Sequence, residues 1–461
     1  MSLTLESLRD CFDGGVPSAL ATSSLDGIPN IAYLSQVQYI DNQHIALTFQ
    51  FFNKTRANIL ANPYATLCVT NPETAASYRL ALRYLHTETS GPLFEMMRAK
   101  LSGIAAHTGM ADIFRLLGAD IYEVLDLEQV PSNSIQPTKK RPNLLPILRQ
   151  SMAQLNVCPD LDHLFSTFLA TLQKNFGIKQ AMLLMYDSAR QCLYTVASIG
   201  YEVAGIGSEI PIGYGVIGIA GHEQTPIRIA HSTSEYGYGK AIRASMEQIG
   251  LTGQLETAIP MPGIADCRSQ MAVPILQNGQ LLGVIYVESD QDLRFGYDDE
   301  DALMILSAHL APAIERLTDT VETSLDDTKD NFPPSPLANG IPIHVRHFPC
   351  DHSLFIGDTY LIKGVAGAIL WHLLQEYQQQ GRNTFSNREL RLLPGLGLPE
   401  LSDNLEARLV LLKRRLDERQ CGINIEKAGR GRFCLSISQP LMLDIVGKRP
   451  PNGAANYSSL N

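Results

Sequence analysis

No apolar run in this sequence approaches the eighteen or more residues that a membrane-crossing helix needs, so no bilayer span is expected. The start, MSLTLESLRDCFDGG, lacks a basic stretch followed by an apolar core, so no secretory leader is expected and the protein is placed in the cytoplasm. Cysteines stand at Cys11, Cys68, Cys158, Cys192, Cys267, Cys350, Cys421 and Cys434 with no CxxC or CxxH spacing, which argues against structural disulfides and against a metal site. Positive charge is also short: 37 Lys and Arg face 47 Asp and Glu, a net charge of -10. That balance excludes a protein that coats nucleic acid along its whole length. No internal repeat is found, and no catalytic residues are assigned.

What is present suits three domains. At 461 residues the chain is too long for one core, and 45% hydrophobic content is that of an ordinary globular protein. Two Pro- and polar-rich stretches divide it, Val130 to Pro146 (VPSNSIQPTKKRPNLLP) and Thr318 to Gly340 (TDTVETSLDDTKDNFPPSPLANG). The expected organisation is a first domain over 1–130, a second over 143–317, a disordered acidic linker over 318–340, a third domain over 341–440 and a flexible tail over 447–461. The fold class is multidomain α+β.

Asp403 to Ile437 is the most informative stretch. Leu405, Leu409, Leu412 and Leu416 recur at i, i+4, i+7 and i+11 and define one narrow helix face. Away from it the pattern projects Arg408, Lys413, Arg414 and Arg415, cations on a rod about as wide as a major groove. Asn424 to Ile437 then alternates and breaks at Gly429-Arg430-Gly431, a hairpin carrying Arg430 and Arg432. Within 341–440 there are 13 Lys and Arg against 10 Asp and Glu, so this module is slightly basic inside an acidic chain. The stretch resembles the winged-helix effector domains of OmpR/PhoB-type response regulators, whose last helix carries a Leu, basic, any, basic, Leu run matched by Leu412 to Leu416. The likeness implies leading strands from Ser353 to Ile362, a first helix from Leu361 to Tyr377 and an N-capped second helix at Phe385 to Leu390. It also implies DNA as partner, through Arg408, Lys413, Arg414, Arg430 and Arg432. Arg432 stands in the usual aromatic place of the wing, and Val410 and Leu411 occupy a flank where the family offers polar side chains.

In the middle, Gln180 to Tyr186 and Leu193 to Ser198 read as strands, Ser269 to Glu288 as a strand-turn-strand pair around Asn278-Gly279, and Asp298 to Glu315 as a helix with acids at its positive end. PIGYGVIGIAGHEQTPIRI, SQMAVPILQNGQLLGVIYVES and RFGYDDEDALMILSAHLAPAIERL resemble a GAF domain. That implies an α/β sensor with an unknown small-molecule effector. Tyr236, Tyr238 and Lys240 would then close over a ligand, or serve as ordinary loop residues. Phe295 and Asp299-Glu300 fit part of the cyclic-nucleotide signature, with a core plug and helix capping as the simpler reading. Cys267 resembles the thiol of GAF-type enzymes that reduce free methionine sulfoxide, without their neighbouring cysteines; a buried inert thiol is the alternative.

The first domain opens with strands Pro17 to Thr22, Pro29 to Val37 and His44 to Phe51, then a helix from Asn53 to Pro63 and a strand from Ala65 to Thr70. It resembles the split β-barrel of the pyridoxamine-phosphate-oxidase family of flavin-binding proteins. Lys54 and Thr55 match the family's phosphate-holding positions at a helix start, implying FMN as cofactor, while Thr48 and Phe49 would face the flavin ring. The later Arg and aromatic positions of the vitamin-synthesising oxidases are missing. Tyr78 to Phe94 matches no motif of that family; its His86 would contact a cofactor such as haem, as in some split barrels, or serve as an ordinary surface residue.

The combined expectation is a cytoplasmic, signal-responsive transcriptional regulator, a homodimer that binds DNA through its C-terminal winged helix. Two alternatives stand beside it: an FMN-dependent oxidoreductase with regulatory domains, and a signalling adaptor that contacts proteins. Nothing in the chain resembles a kinase, a cyclase or another output enzyme.

Overall fold

The computed structural model describes residues 3–12, 14, 16–34, 36–50, 53–107, 115–131, 135, 142–230, 259–319, 341–393, 405–429 and 431–447. Tyr236, Tyr238, Lys240 and Arg430, nearly all of the 318–340 linker and all of the tail beyond residue 447 lie outside them. After a 3-10 helix, Glu6–Phe12, come β1 (Ser18–Ser23), β2 (Pro29–Leu34), β3 (Val37–Tyr39), β4 (His44–Phe49), α1 (Asn53–Ala61), β5 (Tyr64–Thr70), β6 (Ser77–Glu88), α2 (Pro92–His107) and β7 (Gly118–Val130). Next are α3 (Leu144–Asn156), α4 (Leu161–Asn175), β8 (Gln180–Asp187), β9 (Cys192–Ile199), β10 (Glu209–Pro211), α5 (Gly215–Glu223), β11 (Ile227–Ile229), β12 (Ser269–Gln277), β13 (Gln280–Ser289) and α6 (Tyr297–Asp319). The C-terminal part adds β14 (Ile343–Phe348), β15 (Ser353–Ile356), β16 (Thr359–Ile362), α7 (Gly364–Gln380), β17 (Thr384–Ser386), α8 (Asn387–Arg391), α9 (Leu405–Arg419), β18 (Ile423–Lys427), β19 (Arg432–Ile437) and β20 (Leu441–Ile445).

Two compact units form. The first combines Met1–Gln150, Ile212–Ile242 and Ile264–Ala308; the second combines Ser151–Pro211, Arg243–Gly263 and His309–Asn461. Each takes part of the expected middle domain.

In the first unit β1 to β7 make an antiparallel sheet in the order β2-β1-β5-β6-β7-β4-β3. Alternation drives it: SALATS buries every second residue, and Leu20, Leu47, Leu67 and Leu80 pack with Leu8 and Phe12 of the 3-10 helix. Tyr78 to Phe94, which matches no family motif, is mostly β6, the long central strand. Phe94, Met97 and Leu101 of α2 form a second cluster with Ala46 and Ile121. On its other side α2 meets β11 closely, because a Cβ at Gly103 would lie 2.3 Å from Ile227. Arg98 fixes this approach with a bidentate contact to Glu223 at 3.1 and 2.7 Å. In the β12–β13 hairpin, Asn278 and Gly279 take φ of 51° and 76°, the left-handed pair a two-residue turn requires.

In the second unit β8, β9 and β10 pair antiparallel, and the apolar face of α4 (Leu161, Leu164, Phe165, Phe168, Leu172) is buried. β14, β15 and β16 are antiparallel, with β20 added parallel to β14. The helix expected from Leu361 starts instead at Gly364. Ser386 caps α8 as expected, in a reciprocal box with Glu389. β17, from before α8, joins β19 and β18, from after α9, in a three-stranded sheet of order β17-β19-β18.

Among the described residues no helix is long and apolar enough to cross a membrane, and no group of three or more His, Cys, Asp or Glu gathers to hold a metal ion.

Candidate functional site

The basic helix α9 and the β18–β19 hairpin carry the cations expected to meet DNA. The leucine face behaves as the periodicity predicts, with Leu405, Leu409, Leu412 and Leu416 all buried. A second face is buried too, however, since every residue from Ala407 to Leu412 is covered. Val410 and Leu411, expected on an exposed flank, therefore belong to the packing. α9 touches α7, β16 and β18 as well as α4 and β9.

That enclosure corrects the placement of Arg408, which does not project to solvent. Only 3% exposed, it lies 2.7 Å from the carboxylate of Asp187 at the end of β8, with its guanidinium 4.1 Å from the ring centre of Tyr194. The two charges meet as an ion pair and not as an aligned hydrogen bond. Arg415, also expected to project, is buried and donates through Nε to the Leu361 carbonyl at 2.9 Å and through Nη1 to Glu418 at 2.6 Å.

Lys413 and Arg414 sit nearer the surface, but both are engaged by Asp162. Lys413 Nζ donates to Oδ2 at 2.7 Å and Arg414 Nε to Oδ1 at 2.9 Å. Arg414 Nη2 also reaches the Asp162 carbonyl at 3.0 Å and Ser166 Oγ at 2.8 Å. In the hairpin, Lys427 donates to Asp160 Oδ2 at 2.7 Å. Arg432 begins β19 and is half-buried, while Arg430 lies outside the described residues.

Asp160 and Asp162 stand where they do because a helix starts there. Asp160 caps α4, accepting from the His163 backbone N–H at 3.0 Å, and Asp162 occupies the positive first turn. Burial alone would raise Asp160, but its bonds from Lys427 and His163 outweigh it and hold the carboxyl well below its usual range. Asp162 is likewise lowered, burial being outweighed by Lys413 and Arg414. Sequence reasoning singled out neither carboxylate; the Pro-Asp-Leu-Asp run ahead of an apolar-periodic stretch is the signal that could have marked them as helix-start residues. Nothing in the sequence identified their basic partners.

At the second candidate site, Lys54 is exposed in the first turn of α1. Thr55 is buried next to it, its hydroxyl accepting from Asn30 Nδ2 at 2.8 Å. Thr48 is buried within the sheet, close to the Gln36 carbonyl at 3.4 Å. The Arg56 guanidinium lies 4.7 Å from the Phe49 ring centre, and Arg56 Nη1 donates to Asp120 at 2.6 Å, so this aromatic face is already covered. Sequence reasoning missed Gln50. It is 4% exposed at the end of β4, three residues before α1, and neither side-chain amide atom has a hydrogen-bond partner. A buried amide with no partner, so close in sequence to a helix N-terminus, fits a polar group bound there.

Among the GAF-like residues, Phe295 is a core plug at 1% exposure. Asp299 accepts from the Gly296 N–H at 3.0 Å, and Glu300 is bound by Arg228 at 2.8 Å and lies 3.7 Å from Lys100. These acids are used in capping and pairing. Cys267 is buried, with its thiol directed at the Ser269 carbonyl at 3.6 Å.

Residues 160–314 match the family model of the GAF domain, about a third of the chain. The chain thus contains a GAF domain. No curated protein matches it. Among solved structures, the GAF domain of an Acinetobacter phosphoenolpyruvate-protein phosphotransferase is 19% identical over 40% of this chain and 100% of that one, with a TM-score of 0.31. An FMN-binding protein from Syntrophomonas wolfei subsp. wolfei is 18% identical over 28% and 86%, with a TM-score of 0.25. The free methionine-R-sulfoxide reductase from Neisseria meningitidis is 19% identical over 38% and 89%, with a TM-score of 0.28.

Proposed function

We propose that this chain is a signal-responsive DNA-binding regulator whose C-terminal module, read as a winged helix, is held off DNA by the acidic first turn of α4. One observation carries the reading: Asp160 and Asp162 present carboxylates to Lys427, Lys413 and Arg414 at 2.7–2.9 Å, where DNA would present phosphates. Release of this contact by a signal at the GAF domain would free three cations at once. The order of α7, α8, α9 and the β18–β19 hairpin supports the winged-helix reading.

Replacing both carboxylates, Asp160→Asn with Asp162→Asn, removes the competitor while leaving both side chains able to accept hydrogen bonds. Affinity for a genomic fragment library at low salt should rise roughly tenfold or more. The slope of log K against log salt should steepen by about 2 to 3, near 0.9 for each of three cations. Fluorescence anisotropy measures both. A double variant that binds no better than its parent would favour the adaptor reading, which the burial of Val410 and Leu411 in α9 supports.

The first unit is proposed to hold FMN or a similar phosphorylated flavin at α1. Lys54, Thr55 and the helix N-terminus would hold the phosphate and Gln50 would donate to it or to the ring; the flavin, when bound, supplies redox chemistry or a redox-dependent signal. Lys54→Ala should weaken flavin binding roughly ten- to hundred-fold, the loss of one charge-assisted contact. Flavin fluorescence titration is the measurement. Failure of the protein, native or refolded with excess FMN, to hold any flavin removes this part of the reading.

A further inference from the structure

The second unit holds a half-open cavity of about 160 Å3 between the first turn of α4, α9 and the β18–β19 hairpin. Its apolar lining comes from Leu161, Leu409, Val410, Ile425 and Phe433. A space of about 150 Å3 accommodates a benzene ring, so this one admits a ligand with a single ring or a short alkyl chain.

Charge decides what the ligand carries. Asp160 and Asp162 reach the cavity but are committed to Lys427 and to Lys413 with Arg414. Lys413 and Lys427 also line it and are the other halves of those pairs. Glu406 lines it from the first turn of α9, partly buried, and among the described residues its carboxyl has neither a hydrogen-bond nor an ion-pair partner. With the other acids already neutralised, one carboxylate next to an apolar wall lacks a counterion. Arg432 lines it as well and is engaged in an interaction of its own, so of the charged groups that line the cavity Glu406 is the one without a direct partner.

We propose that this cavity is a binding site for a small organic cation, an amine whose ammonium pairs with Glu406 and whose apolar body fills the space between Leu409, Val410, Ile425 and Phe433. Because its walls belong to α4, α9 and β18 together, an occupant holds these three elements in their present arrangement. Amine binding stands on the cavity and Glu406 alone. An effect of the amine on DNA binding would rest in addition on the function proposed above.

Binding should depend on pH. Burial pushes Glu406 up to about 7, the nearby charges of Arg391 and Lys427 pulling it only partly back and Asp160 adding to the rise. The ammonium needs the ionised carboxyl, so affinity should fall as pH drops through about 7. The other groups facing the cavity are Asp160, Asp162 and His163 from α4, Lys413 from α9, Lys427 from β18 and Arg432 from β19. Asp160 and Asp162 are both lowered from their usual range and so stay ionised across this interval. His163 is controlled by His163→Gln.

The test uses the full chain with benzylamine as probe and benzyl alcohol as its uncharged counterpart, by calorimetry and thermal shift from pH 6 to 8. Benzylamine should bind roughly tenfold or more tightly than the alcohol at pH 8, and this preference should shrink toward pH 6. Glu406→Gln should abolish the preference and its pH dependence while sparing the alcohol. Val410→Phe, which fills the cavity from within, should exclude both probes. Equal binding of amine and alcohol to the parent, or retention of the preference in Glu406→Gln, overturns the proposal. So does unchanged benzylamine binding in Val410→Phe.

Discussion

Arg408→Ala should lower the stability of the second unit by about 3–5 kcal/mol, because removing one member of a buried ion pair leaves the other charge uncompensated. The orphan is Asp187, whose side chain is 3% exposed, against 4% for Arg408. Loss of the cation stacked on Tyr194 adds to the cost. Lys413→Ala gives the contrast. Its side chain is 41% exposed, so its ion pair with Asp162 is screened and its removal should cost about 0.2–1 kcal/mol. Urea unfolding of the two variants separates the roles: a residue made for DNA changes affinity and not stability, whereas Arg408 should do the reverse. Arg408→Met combined with Asp187→Leu should recover most of the loss, since replacing both charges by apolar groups removes the desolvation penalty. A change below about 1 kcal/mol for Arg408→Ala would show that the pair does not hold α9 in place.

Local geometry was legible in the sequence wherever one residue type satisfies one conformation. Asn278-Gly279 fixed the β12–β13 hairpin because both positions need positive φ, and Ser386 with Glu389 fixed the start of α8 because each satisfies the other's backbone N–H. The leucine face of α9 was legible for the same reason. Its second buried face was not. Ala407, Val410 and Leu411 are visible as an apolar stripe, but the elements that cover it, α4 and β9, lie more than 200 residues earlier, and periodicity carries no information about such a partner. The cations failed differently. A lysine that meets a phosphate and one that meets a carboxylate look identical in a sequence, so Lys413 and Arg414 were legible as charges but not as the partners of Asp162. Gln50 was invisible, because only the structure shows that its amide is buried and orphaned.

Glu406→Gln should stabilise the protein at pH 8 by about 1–3 kcal/mol and leave it unchanged at pH 4. The carboxyl is pushed up to about 7 from an ordinary 4.5, chiefly by burial. Below about 4.5 both the folded and the unfolded chain hold the proton, and the residue costs nothing. As pH rises, the unfolded chain ionises first while the folded one stays protonated, so stability falls until pH passes about 7 and then levels off. Each tenfold difference in acidity is about 1.4 kcal/mol, and water reaching the cavity trims the total. Asp160 and Asp162 act in the opposite sense. Their lowered carboxyls add stability above the ordinary 3.8, and that contribution is lost as pH falls. The parent should therefore be most stable at about pH 4 to 4.5, between these two losses, whereas Glu406→Gln should keep its acid limb and lose the decline toward pH 8. Urea midpoints taken from pH 4 to 8 on both proteins give the comparison. A difference between them that does not change across this range would mean that Glu406 is ionised throughout, and that the penalty of its burial is met by a partner outside the cavity.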